Sequence, residues 1–351
     1  MKVLVTGGAG FIGSNFVRYG LQLHTDWQVV NLDKLTYAGN LANLVDIEGN
    51  PRYTFIKGDI ADRTLVASVF DEQKPDAVIN FAAESHVDRS MLDAAPFVDT
   101  NIRGTHVLLE AAREHQISRF VQISTDEVYG ALGEDGIFTE LSPLCPNNPY
   151  SASKASAELL CRAYHKAYGV PVIVTRSSNN YGPYQFPEKL IPLMIRNALV
   201  GKPLPVYGEG KQVRDWLFVE DNCQAIDLVL QNGRVGEIYN IGGSCEKPNI
   251  EVVALIRTVL QESPATRNLR TEIQFIKDPR GAAHDFRYAL DSTKISTELG
   301  WSATRRFEDG LIETVHWYLE NQDWVNNVVT GDYQAYYSRV YGSAAKPETS
   351  P

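Results

Sequence analysis

The chain has 351 residues, 44% of them hydrophobic and 22% charged, which is enough for two domains or for one large domain with an appended lobe. A formal charge of -10 excludes a general nucleic-acid binder, whose surface has to neutralise phosphates, although a local basic pocket could still hold a small anion. The opening "MKVLVTGGAG" carries an apolar run too short for a signal peptide or a membrane span, so a soluble, cytoplasmic protein without a membrane partner is expected.

In chain order, short β-rich runs alternate with helical patterns. The runs are "KVLVT" (2–6), "QVVNL" (28–32), "YTFIK" (53–57), "AVINF" (77–81), "RFVQIS" (119–124) and "PVIVTR" (171–176). Such alternation predicts a parallel sheet covered on both faces. Between the runs, "GTHVLLEAAREH" and "ASAELLCRAYHKAY" space their apolar residues by three and four, as amphipathic helices do. Further on, "EGKQVRDWLFVEDNCQAIDLVL" reads as a return to the sheet followed by another helix. "NIEVVALIRTVLQ" and "RFEDGLIETVHWYLEN" read as helices of a smaller lobe, and the polar tail "GSAAKPETSP" as disordered. The four cysteines, Cys145, Cys161, Cys223 and Cys245, form no C-x-x-C pair and have no His at ligand spacing; they read as reduced thiols, with no metal site expected.

The first motif is "VLVTGGAGFIGSNF", with Gly7, Gly10 and Gly13 between the first strand and a helix. Glycines there permit a tight turn, let backbone approach a pyrophosphate, and let helix pack on strand, with the helix N-terminus facing the phosphates. Asp33 ends the second strand about 20 residues later, where an acid receives ribose hydroxyls and repels a 2′-phosphate, so NAD is expected rather than NADP. Asp59 and Ile60, after the third strand, fall beside the adenine in the same arrangement. The second motif is "YSASK" (150–154): Tyr150 and Lys154 lie one helical turn apart, and an ammonium near a phenol lowers its pKa toward working pH. The third is "STDEVYG" (124–130), two carboxylates just past a buried strand. They are either solvated loop acids or an acid and base working across the sheet edge.

Taken together, "TGGAGFIG", the acid after the second strand, "FAAESHVDRS" after the fourth, a threonine after the fifth and Y-x-x-x-K resemble the extended short-chain dehydrogenase/reductase family. "STDEVYG", "YSASKASAELL" and "SSNNYGPYQFPEKLIPL" are similar to that family's nucleotide-sugar 4,6-dehydratases, with dTDP-glucose the expected substrate and UDP-glucose, or C4 epimerisation, the alternative. The resemblance implies a Rossmann-type α/β fold, a doubly wound parallel sheet with a smaller C-terminal α/β substrate lobe. The NAD-binding domain is expected over 1–178 and 215–243, the lobe over 179–214 and 244–325, and an extension over 326–351.

By the same resemblance Glu127 is the base at sugar C5, Asp126 the acid at the C6 hydroxyl, Tyr150 the acceptor of the O4 proton, Lys154 its tuner, and Thr125 a hydrogen-bonding partner near O4. Phe11 and Ile12 lie over the pyrophosphate, Lys34 and Thr36 join Asp33 near the adenosine, and Phe81, Ala82, Ala83 and Ser85 line the cofactor channel, with Thr100 and Asn180 as further contacts. The nucleotide-sugar is assigned Ser85, Thr125, Asn179, Lys189, Leu190, Pro205, Val206, Tyr207, Arg214 and Asn249. One stretch departs from the family pattern: "DPRGAAHD" (278–285) is longer than usual and has proline where arginine is expected. Arg280 is expected to stand in for that arginine, with His284 and Asp285 in their usual places. The family also implies a homodimer, built by packing the two amphipathic helices into a four-helix bundle.

Overall fold

The computed structural model describes residues 1–269, 271–329 and 331–341, so the tail read as disordered lies outside the described residues. Twelve strands are present among them: β1 (Lys2–Thr6), β2 (Gln28–Asp33), β3 (Tyr53–Lys57), β4 (Ala77–Asn80), β5 (Arg119–Thr125), β6 (Val172–Ser177), β7 (Asn179–Tyr181), β8 (Leu204–Tyr207), β9 (Val213–Phe218), β10 (Ile238–Ile241), β11 (Glu246–Pro248) and β12 (Ile273–Ile276). Seven of them form one sheet in the order β10-β6-β5-β4-β1-β2-β3, with every neighbouring pair parallel.

Side chains along these strands alternate between two cores. Val3, Val5, Ala77, Ile79, Val121 and Ile173 face the helices Phe11–Leu23 and Val219–Asn232. Leu4, Val30, Val78, Phe120 and Val172 face Arg63–Gln73, Thr105–Glu114 and Pro149–Tyr168. Burial on both faces is why each strand reads as an unbroken apolar run. The order reverses between β1 and β4, and at such a reversal the loops after neighbouring strands diverge and leave a crevice at their carboxyl ends.

A separate core holds the smaller lobe, where Tyr181, Trp216, Phe218, Ile256, Phe307 and Tyr318 pack together. The expected return of the chain to the large sheet at β9 is corrected. β9 pairs with β7 and β11 in a three-stranded sheet, and β10 is the strand that returns, pairing with β6. The period of two explains this: Trp216 and Phe218 point into the lobe core while Leu217 points into the large core, so β9 is shared between them. A parallel pair, β8 with β12, completes the lobe.

The candidate active site

The glycine turn after β1 leaves no room for side chains at two places. Gly7 has φ +70 and a Cβ there would lie 2.6 Å from the Ala82 nitrogen, while a Cβ on Gly13 would lie 2.3 Å from the Gly7 carbonyl oxygen. Gly10 differs, since a Cβ there would meet only the Gly7 oxygen at 3.3 Å. Its open side faces a cavity of about 290 Å³, into which the first turn of the helix Phe11–Leu23 presents its unpaired N–H groups. Around the cavity stand Gly7, Gly10, Phe11, Ile12 and Gly13 from this turn, Asp33, Lys34 and Thr36 after β2, and Asp59 and Ile60 after β3. Phe81, Ala82, Ala83 and Ser85 after β4 complete the wall with Thr100 and Asn180, so the structure brings together every residue read from the sequence as a cofactor contact.

Asp33 is tied into the turn it serves: its carboxylate accepts from the Ala9 and Leu35 nitrogens at 2.9 and 2.8 Å, which partly offsets a burial that pushes its pKa up. Lys34 pairs with Asp59 at 2.7 Å across the cavity's far end. The donors of the helix start, the close-approach glycine and the acid at the end of β2 together fit a dinucleotide.

At the carboxyl end of β5, Thr125 caps the single turn Asp126–Tyr129, its hydroxyl accepting from the Glu127 nitrogen at 3.3 Å and donating to Asp126 Oδ1 at 3.1 Å. Asp126 is 2% exposed, and its Oδ2 has no hydrogen-bond partner among the described residues. Burial, reinforced by the negative charge of Glu127, pushes its pKa well above the usual carboxylate value, which favours the protonated form. Glu127 is partly open to the cavity. Burial raises it as well, but Arg280, Arg214 and Lys189 pull it down. Two adjacent acids thus occupy unlike surroundings, one fit to give a proton and one to take it.

Tyr150 and Lys154 sit on the first turns of the helix Pro149–Tyr168, which is fixed by Asn148 and Ser151 in a reciprocal cap with Pro149 at its first position. Both line the same cavity as the two acids. The expected lowering of the tyrosine by the lysine is corrected. Burial, with the charge of Glu127, pushes the Tyr150 hydroxyl well above the phenol range, and only hydrogen bonding with Thr125 opposes it. Lys154 instead donates to the Ile123 carbonyl oxygen at 2.6 Å, and burial lowers its ammonium to about 8.

A second cavity, of about 150 Å³, opens from the first across Glu127, Asn179, Asn180, Gln185, Glu188 and Lys189. Asn179, Lys189, Leu190, Pro205, Val206, Tyr207, Arg214, Asn249, Arg280 and His284 line it, while Ser85 and Thr125 line the first. Lys189 donates to the Ser85 carbonyl oxygen at 2.8 Å. Arg214 is held by the Val213, Asp285 and Phe286 carbonyl oxygens and lies over the Tyr288 ring. The long 278–285 loop is closed by Arg280 N–H on Asp278 and by His284 on the same carboxylate, which brings Arg280 and His284 to the cavity wall.

Several residues that support or line the site escaped the sequence reading. Asn101, on a widened helical turn at Val98–Gly104, bonds Glu84 and Ser153 and so ties the loop after β4 to the Tyr150 helix. Asp88, Glu188 and Tyr341 also face the second cavity. Asp88 and Glu188 lie inside segments the sequence had singled out, but their neighbours in space come from distant parts of the chain. Among the described residues no cluster of three or more His, Cys, Asp or Glu could hold a metal ion.

A glycine-cradled crevice at the sheet reversal, joined through a Tyr–Lys helix and an acid pair to a cation-lined pocket, is the arrangement of the extended short-chain dehydrogenase/reductases. The family profile described as GDP-mannose 4,6 dehydratase matches residues 4–314. Over 343 residues the chain is 54% identical to the dTDP-glucose 4,6-dehydratase of Xanthomonas campestris pv. campestris, covering 94% of this chain and 97% of that one. It is 55% identical over 348 residues to the enzyme so named from Neisseria meningitidis serogroup B, covering 95% and 97%. The dTDP-glucose 4,6-dehydratase of Streptomyces venezuelae, solved with NAD bound, superposes with a TM-score of 0.87 at 48% identity, covering 93% of this chain and 100% of that one. This chain belongs to the dTDP-glucose 4,6-dehydratase family.

Proposed function

We propose that this chain converts dTDP-glucose to dTDP-4-keto-6-deoxyglucose, a net loss of water that makes it a hydro-lyase. The observation that carries the reading is the acid pair: Asp126 enclosed behind the Thr125 hydroxyl, beside a Glu127 that opens onto both cavities and faces Arg280, Arg214 and Lys189. NAD, held by the glycine turn, Asp33 and the loop after β4, would accept a hydride from sugar C4 and return it at C6. Tyr150 and Thr125, which line the same cavity, carry the O4 proton. A ketone at C4 makes the neighbouring C5 hydrogen acidic enough for a carboxylate to remove; Glu127 takes that proton and returns it to C5 when the hydride arrives at C6. Asp126 gives its proton to the departing C6 hydroxyl, which a neutral carboxyl can do and a charged one cannot. Arg214 and Lys189 are the partners of the diphosphate.

The same proposal divides the chain into a cofactor domain (1–178 and 215–243), a substrate lobe (179–214 and 244–325) and a C-terminal extension (326–351), with β9 shared between the two cores. It places the enzyme in the cytoplasm as a homodimer. Exposed Leu159 and Tyr168 on the Pro149–Tyr168 helix, with Met91, Leu92 and Val98 exposed earlier in the chain, support an association face on that side. Incubation with dTDP-glucose and, separately, UDP-glucose tests the reaction through the alkaline absorbance of a 4-keto-6-deoxy product. Hydrogen label placed at C4 should arrive at C6. A C4 epimer, or no product from dTDP-glucose, would overturn the reading.

A further inference from the structure

Asp88 is a buried carboxylate on the wall of the second cavity, where an anion would oppose a diphosphate. Its partners show why it is tolerated. Oδ1 accepts from Arg280 Nε, and Oδ2 accepts from the Tyr207 hydroxyl at 3.0 Å. The Tyr207 hydroxyl is in turn hydrogen-bonded to that of Tyr341 at 3.3 Å, and Arg280 lies 5.7 Å from the centre of the Tyr207 ring. One carboxylate therefore joins four remote parts of the chain: the short helix Val87–Leu92, the 278–285 loop, β8 and the helix Gly331–Tyr341.

Asp88 binds Arg280 through Nε, and among the described residues no acceptor meets the two terminal amino groups of that guanidinium. Those groups carry the planar donor pattern suited to phosphate oxygens. The loop's own bonds, Arg280 N–H to Asp278 and His284 N–H to the Gly281 carbonyl oxygen, hold the Arg280 backbone, while its side chain is held by Asp88.

We propose that Asp88 is a positioning residue of this site, holding Arg280 so that the outer edge of its guanidinium faces both the substrate's diphosphate and Glu127. The proposal rests on the reading of the cavity as a nucleoside-diphosphate-sugar site. Glu127 is faced by Arg280, Arg214 and Lys189, and by Asp126, Asp285, Tyr150 and Tyr288. Loosening Arg280 removes the cation with the greatest effect on Glu127, so the Glu127 carboxyl rises and more of it is protonated at a given pH.

The test compares wild type, Asp88→Asn, Arg280→Met and the double variant, by titration calorimetry with dTDP and by kcat/KM against pH with dTDP-glucose. Asp88→Asn should weaken dTDP binding roughly ten- to a hundredfold, as loss of positioning does. It should also move the acid limb of kcat/KM to higher pH, and the double variant should be no worse than Arg280→Met. Wild-type affinity with an unmoved acid limb would mean that Asp88 only supports the fold, and multiplicative losses in the double variant would mean that it acts apart from Arg280; either overturns the proposal. If Asp88→Asn does not fold, the double variant leaves no arginine unpaired, and equality with Arg280→Met supports the role while a further tenfold loss refutes it. A wild type that binds no dTDP removes the underlying reading of the cavity, whereas normal dTDP binding by Asp88→Asn removes the role of Asp88 alone.

Discussion

Two carboxyls adjacent in sequence do different work because the turn Asp126–Tyr129 points them into different surroundings. Asp126 is enclosed, with one oxygen toward Thr125, while Glu127 looks onto cations from three other segments. Replacing Glu127 by Gln keeps size and hydrogen bonding but removes the base. Turnover of dTDP-glucose should fall about a hundred- to ten-thousandfold with dTDP affinity changed by no more than a few fold, measured by product formation and calorimetry side by side. A variant that still turned over at the wild-type rate would place the base elsewhere. The tyrosine teaches the converse: one-turn spacing correctly put Tyr150 and Lys154 on one helix face, but spacing carries no information about desolvation. Burial, unseen in the sequence, outweighs the ammonium, which the Ile123 carbonyl already holds.

At the scale of an element, the helix Pro149–Tyr168 has the strongest local signals in the chain. Asn148 and Ser151 cap each other's backbone, proline occupies the first position, and Gly169 ends the helix at φ +72. Tyr150 rides on that first turn, so a cap that is worth about 1 kcal/mol of stability also sets the position of a reacting group. Asn148→Ala should cost that much in denaturant unfolding and lower kcat by a larger factor than it lowers dTDP affinity. Equal losses in both would show that the cap does nothing beyond stability. The strands were equally legible, because a parallel sheet buried on both faces demands continuous apolar runs. β9 was misplaced because its alternation fits any half-buried strand; only the lobe core against Trp216 and Phe218 selects its partners.

For the molecule as a whole, the site stores carboxyls whose folded pKa values differ from their unfolded ones, and stability must follow pH accordingly. Asp126 is raised, so from the unfolded carboxylate value near 3.9 upward the unfolded chain has released a proton that the folded chain retains, and stability falls as pH rises toward the folded pKa. Asp88 runs the other way: Arg280 and Tyr207 hold it low, so its contribution is present above the unfolded value and is lost on acidification. Asp126→Asn removes the first effect only. Its melting temperature relative to wild type should therefore climb from pH 4 upward, at the expense of activity; a difference that stays flat with pH would mean that Asp126 ionises as freely in the fold as outside it.

By itself the sequence determined the sheet's run of strands, the glycine turn, the acid after β2, and the set of residues at the Tyr150 helix and the β5 edge. Each of these is written in a periodicity, a steric requirement or a spacing within a few residues. The tertiary structure alone decided how deeply each acid is enclosed, which carbonyl holds Lys154, where β9 pairs, and that Asp88 meets Arg280 from 192 residues away. Those outcomes depend on burial and on charges converging from remote segments, and a linear chain does not encode such distances until it has folded.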